Sequence, residues 1–259
     1  VCILASSSSG NCTLIATETT RLLVDAGLSR KATFERLAAI GEDPARLDAI
    51  LISHEHSDHV SGLITIGRGM LKKHCRRVPI FMTSLTAATI DWAEYEPDLR
   101  TYQAGTQFTI GDVDVQSFTI PHDAADPVGF CFRTQGVQCG MVTDLGYIPD
   151  SVKFHLRGTD FLILESNHDL DMLKVGPYPW SVKQRVMGRK GHLSNDVASA
   201  FIGAELAGST RTLVLGHLSE NNNHPEIVRI TAQQALDRRG LGTRLVVAEP
   251  RRQTELFCF

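Results

Sequence analysis

The chain has 259 residues, of which 42% are hydrophobic and 21% charged, and its formal net charge is −3. Those values describe an ordinary globular protein whose core is large enough to hold without covalent staples. They exclude a whole-molecule attraction to nucleic acid or anionic membranes and leave only a local basic patch for such contact.

In chain order, residues 2–5, 12–17 and 21–25 read as strands separated by Ser/Gly/Asn-rich and Thr-rich turns. The spacing predicts an amphipathic helix over 30–40, with Phe34, Leu37 and Ile40 on one face. A strand-like run, 48–53, leads into the histidine cluster, and 59–74 follows with helical spacing. Residues 78–83 read as a strand and 84–95 as a helix, followed by strands at 107–110, 113–120, 128–134 and 137–143. In the second half, 160–165, 212–216, 244–248 and 254–258 read as strands, and 195–207 and 224–239 as helices. The least regular stretch, 166–193, contains Gly176-Pro177-Tyr178-Pro179-Trp180 and is expected over the mouth of a site. With no low-complexity linker, residues 1–259 are expected to form one domain.

The six cysteines form no C-x-x-C and suggest no disulfide framework, and Cys131 and Cys139 read as buried hydrophobes. No apolar run approaches the roughly 18 residues of a membrane span, and Val1–Ala5 is too short for a signal core. A cytoplasmic location without membrane contact is therefore expected.

The densest chemistry is His54-Glu55-His56-Ser57-Asp58-His59, with three imidazoles and two carboxylates in six residues. Neutral imidazole nitrogens and carboxylate oxygens are ligands of zinc, manganese and iron. On a helix, His54 and His56 would point apart. At a strand end entering a loop they share a side while Asp58 and His59 reach to the other, which suggests two adjacent ions.

This H-x-H-x-D-H pattern resembles the metallo-β-lactamase superfamily, and the resemblance extends over most of the chain. It implies an α/β (α+β) four-layer αββα sandwich. It also implies that His122, Asp144 and His217, each closing a strand-like run, complete the metal ligands. His54, His56 and His122 would hold one ion, Asp58, His59 and His217 the other, with Asp144 between them. The two divalent ions (Zn, Mn or Fe) would share a hydroxide nucleophile, with Asp58 placed to orient it or take its proton. Asp25 would orient the ligand loop without touching metal. Histidine at position 56, where flavodiiron oxygen reductases carry Glu, favours hydrolysis over redox chemistry.

The segments around Glu165 and Gly191-His192-Leu193-Ser194 resemble ribonuclease Z-type phosphodiesterases. That likeness implies a carboxylate, Glu165, holding a proton on His192, which assists the departing oxygen. Leu164 stands where those motifs place His, and Leu193 separates His192 from Ser194. Ser194 or Asn195 also reads as the start of the following helix, a role compatible with the first. Five segments together resemble the YycJ/WalJ group of DNA-directed, exonuclease-like hydrolases: Ser6–Cys12, Glu165–Asp169, Gly176–Trp180, Gly191–Asn195 and His217–Asn223. Ser7 replaces a Gly common in that group. Asn11, His168, Ser194 and Asn195 are candidate substrate contacts, and Asn221–Asn223 read as substrate contacts or, in preference, as the cap of the helix beginning near Pro225.

The function expected is binuclear phosphodiester hydrolysis, with nucleic acid as substrate. Hydrolysis of a small ester, thioester or lactam and a non-catalytic metal-binding regulatory module are the alternatives. Gly67-Arg68-Gly69 lacks the strand-to-helix context of a nucleotide motif and is set aside.

Overall fold

The protein is described over residues 1–259 by a computed structural model. The first sheet holds β1 (Cys2–Ser7), β2 (Gly10–Ala16), β3 (Arg21–Val24), β4 (Ala49–Leu51), β5 (Pro79–Thr83) and β6 (Asp98–Tyr102), in that order. Pairing is antiparallel from β1 to β3 and parallel from β3 to β6. The second sheet comprises β7 (Gln107–Ile110), β8 (Val113–Thr119), β9 (Val128–Thr134), β10 (Val137–Val142), β11 (Phe161–Glu165), β12 (Thr212–Gly216) and β13 (Arg244–Val247). It runs in reverse order from β13 to β7, parallel from β13 to β10 and antiparallel beyond.

Strand side chains alternate between faces, so a strand buried on both sides feeds two cores. Phe161 and Ile163 join a cluster with Ile3, Leu22 and Val24 between the sheets, while Leu162 and Leu164 face outward. The helices α1 (Arg30–Ala39), α2 (Ser57–Val60), α3 (Leu63–His74) and α4 (Ser84–Thr89) belong to the first half. Leu37 of α1 and Ile66 and Met70 of α3 pack on Leu23 and Ile50 of the first sheet. In the second half come α5 (Asp150–Leu156), α6 (Leu170–Val175), α7 (Trp180–Val186), α8 (Asn195–Ala204) and α9 (Pro225–Arg239). Val152 of α5, Ile202 of α8 and Leu236 of α9 cover the outer face of the second sheet. Three cores between four layers make the αββα sandwich.

Several expectations change. The helix expected over 84–95 stops at Thr89, and Ala93 turns left-handed (φ 49°) so that buried Tyr95 reaches α3. There Gly67 leaves room for the ring, since a Cβ would lie 2.4 Å from the tyrosine hydroxyl. Residues 254–258 form no ladder strand. The Thr254 and Phe257 amides instead donate to the Ile3 and Val1 carbonyls and cover the outer edge of β1. The elements β6, α5, α6 and α7 were not anticipated. Asn221–Asn223 do not cap α9; His224 does, its Nδ1 accepting from the Glu226 amide.

Candidate metal centre

The site lies where strands from both sheets end. Asp25 follows β3, His54 follows β4, Asp144 follows β10, Glu165 ends β11 and His217 follows β12. Asp25, Asp144 and His217 all adopt left-handed backbone, with φ of 61°, 60° and 55°. Few non-glycine residues enter that region, and Asn, Asp and His do so most readily, which suits the residue types at these three strand ends. The histidine cluster splits as its geometry requires. His54 and His56 lie in the loop between β4 and α2, and Asp58 and His59 in the turn of α2.

Ligand-type atoms of His54, His56 and His122 lie within 4.8 Å of one another, as do those of Asp58, His59, Asp144 and His217. A third grouping, Asp144, Glu165, His192 and His217, shares two residues with the second. Its Glu165 contacts are hydrogen bonds from imidazole N–H groups, so it needs no ion of its own.

One nitrogen of each key imidazole is engaged, which directs the other. His59 Nδ1 donates to Asp25 Oδ2 at 2.8 Å, His217 Nδ1 to Glu165 Oε1 at 2.7 Å, and His122 Nδ1 to the Gly191 carbonyl at 3.2 Å. The His54 Nδ1 lies 3.0 Å from Ser53 Oγ, whose hydroxyl reaches Asp25. Asp25 touches this supporting network and the Ser53 amide.

The residues fit a cation. His54 Nε2 and Asp144 Oδ2 are buried without any hydrogen-bond partner. Orphaned buried polar atoms are costly unless something outside the chain satisfies them. An all N/O donor set suits divalent transition metals.

The electrostatics reflect crowding. Burial disfavours charge on His54 and holds its pKa well below the ordinary value. Burial acts the same way on His59, but Asp25 and Asp144 overcome it and raise that pKa. His217 also resists burial: Asp144, Asp58 and Glu165 raise it to about 10. Burial opposes ionisation of Asp58, yet hydrogen bonds from His217 and His59 hold it well below the carboxylate range. Asp144 is likewise lowered against burial, by His217 and His59.

Beside this cluster, His192 Nδ1 donates to Glu165 Oε1 at 2.8 Å. Glu165 is fully buried and takes two further bonds on Oε2, from the Leu145 and Leu193 amides. The charge and hydrogen bonds of His192, and then of His217, outweigh desolvation and lower its pKa to about 2. Burial would lower His192, but Glu165 raises it, favouring the protonated ring.

The four expected substrate contacts occupy different settings. Asn11 Nδ2 lies 3.0 Å from both Asp58 Oδ2 and His59 Nε2, while its Oδ1 accepts from the Ser7 amide. His168 is buried, with Nδ1 unpartnered, and desolvation lowers its pKa to about 4. Ser194 caps α8 through the Val197 amide. The Asn195 side chain accepts from Ser166 Oγ through Oδ1 and donates from Nδ2 to Asn223 Oδ1 inside the fold. Three contacts escaped the sequence reading: Ser6 Oγ accepting from the His217 amide, Asn167 Nδ2 donating to the His217 carbonyl, and Asp123 Oδ1 lying 3.5 Å from His122 Nε2. Ser6 and Asn167 lie in segments the sequence already singles out, and Asp123 follows His122 directly.

A family profile described as a beta-lactamase superfamily domain matches residues 20–217. Exodeoxyribonuclease YycJ of Bacillus anthracis is 34% identical over 243 residues, spanning 93% of this chain and 90% of that one. Exodeoxyribonuclease WalJ of Streptococcus pneumoniae serotype 2 (strain D39) is 36% identical over 247 residues, 93% and 89% of the two chains. Among solved structures, the metallo-beta-lactamase fold protein YhfI of Bacillus subtilis superposes with a TM-score of 0.76 over 97% of both chains. At 18% identity that likeness is one of fold.

Proposed function

The chain belongs to the β-lactamase superfamily, in the group that includes YycJ and WalJ, and from that membership we propose a nuclease that cleaves DNA with exonuclease-like action. It is a metal-dependent hydrolase; the substrate, the number of ions and the residue roles are our assignment. We take residues 1–259 as one catalytic domain, acting in the cytoplasm.

His54, His56 and His122 would hold one divalent cation and Asp58, His59 and His217 a second, with Asp144 shared; zinc, manganese and iron all suit these donors. When bound, such cations supply Lewis acidity and a hydroxide nucleophile at neutral pH. Asp25 and Ser53 fix the imidazoles of His59 and His54. Asp58, kept ionised, is placed to accept a proton. Glu165 holds the Nδ1 proton of His192, leaving Nε2 to donate to the departing alkoxide. We assign Asn11 to positioning Asp58 and His59, and Ser194 and Asn195 to the framework beneath His192. His168 remains the candidate substrate contact.

The observation that carries the reading is the 2.8 Å His192–Glu165 pair beside the ligand clusters. A phosphodiester has a poor alkoxide leaving group and gains from an acid there, whereas a thiolate gains little. His192→Ala should therefore lower turnover of a DNA strand by about 10²–10⁴-fold with metal content intact. The loss should be small for bis(p-nitrophenyl) phosphate, whose phenolate departs unaided. Metal-loaded protein that cleaves no DNA, RNA or small phosphodiester would refute the proposal.

A further inference from the structure

The segment 174–190 carries five of the 26 Lys and Arg residues and none of the 29 Asp and Glu. The rest of the chain therefore holds 21 basic against 29 acidic residues, so this segment is a local cationic island on an acidic protein. Its cations do different work. Lys183 is buried, with Nζ on the Lys174 carbonyl, while Lys174 pairs with Asp171 and Arg185 with Asp123. Arg189 and Lys190 are exposed and have no acidic partner. Arg189 stacks over Tyr147, 4.2 Å from the ring centre.

The segment is fixed to the metal centre by backbone. The His192 amide donates to the Val186 carbonyl, and Gly191 receives the His122 Nδ1 bond. Arg189 backbone packs on Gly146, where a Cβ would meet it at 2.4 Å. At the far end of α7, Trp180 is 61% exposed, an unusual position for an indole unless it meets a partner. The helical rise puts it about 9 Å from Val186, a reach of a few nucleotides from His192.

We propose that Trp180, Arg189 and Lys190 form a landing surface for single-stranded nucleic acid, feeding the strand toward His192. The inference rests on the nuclease reading. Arg189 and Lys190 take phosphates beside the scissile bond and Trp180 stacks a base further along, the combination that single-strand binding surfaces use. A second copy of this chain is the poorer occupant, because a two-fold contact would set the two islands of like charge against each other.

The test is binding of a fluorescent phosphorothioate oligonucleotide to the metal-loaded protein, in DNA and RNA forms of one sequence. The Arg189→Ala/Lys190→Ala variant should bind about tenfold more weakly. Its log Kd–log salt slope should flatten by about 1.4, at about 0.7 per phosphate. Trp180→Ala should weaken binding about tenfold as well. In a Trp92→Phe protein the remaining indole, Trp180, should be quenched by the strand. Tighter binding of the DNA or RNA form names the natural strand, and either supports the surface. Affinities within twofold of wild type in both variants, with no quenching, would overturn it; so would variants that change the oligomeric state by light scattering. If wild-type protein hydrolyses bis(p-nitrophenyl) phosphate while binding is unaltered, only the surface fails. If it hydrolyses neither diester nor DNA, the nuclease reading fails with it.

Discussion

Single side chains in this cleft are held by others set behind them. Asp25 bonds His59 and the Ser53 amide and hydroxyl, so one carboxylate orients two imidazoles. Its left-handed backbone is tolerated by Asn as readily as by Asp. Asp25→Asn should therefore fold normally yet bind zinc or manganese about 10–100-fold more weakly. Competition against a chromophoric chelator measures this, and an unchanged affinity would show that Asp25 is not needed to aim His59. The side chains that gather at the cleft were legible because their chemistry is visible in residue type at strand ends. The shared role of Glu165, bonding both His192 and His217, was not. Ser6 on the His217 amide was equally hidden, since 211 positions separate them and no local pattern records such a contact.

At the level of elements, α2 sits against the turn after β3 with no space to spare. A Cβ on Gly27 would fall 1.7 Å from the Asp58 carbonyl and 2.7 Å from the Asn11 amide. Gly27→Ala should push α2 away, carrying Asp58 and His59 with it, and destabilise the fold by about 1–3 kcal/mol. Calorimetry and metal stoichiometry report both effects; a variant unchanged in each would mean the turn adapts without moving α2. The long buried strands and α1, α3, α8 and α9 were readable because their apolar spacing is strong. The β6 strand was missed because its residues are half-exposed and polar. The helices α6 and α7 have six and seven residues, too few for periodicity to register, and depend on the Asp169 cap and on packing. The 84–95 segment misled because its composition suits a helix, while burial of Tyr95 on α3 demands a turn.

Across the whole molecule, proton and metal occupancy should oppose each other. In metal-free protein the His217 pKa rises from 6.5 to about 10, so its proton stabilises the fold below about pH 6.5. That stabilisation is lost as pH climbs through about 10. Cation binding displaces such protons and strengthens with pH. The melting-temperature gap between metal-loaded and EDTA-treated protein should accordingly widen from about pH 6 to about pH 9. Titration calorimetry in two buffers of different ionisation enthalpy should show proton release; a heat independent of buffer would contradict the coupling. Glu165 acts in the other direction. With a pKa of about 2, it contributes stability above about pH 4.5 that disappears as pH falls toward 2.

The donors come from two sheets built by opposite ends of the chain: His54 to His59 from the first, and His122, Asp144 and His217 from the second. On the ligand assignment proposed above, neither half would own a finished coordination sphere. Cobalt substituted for the native cation would then serve as an optical clock for refolding. Its tetrahedral absorption should emerge only after the halves dock, later than the far-ultraviolet signal of their separate strands and helices.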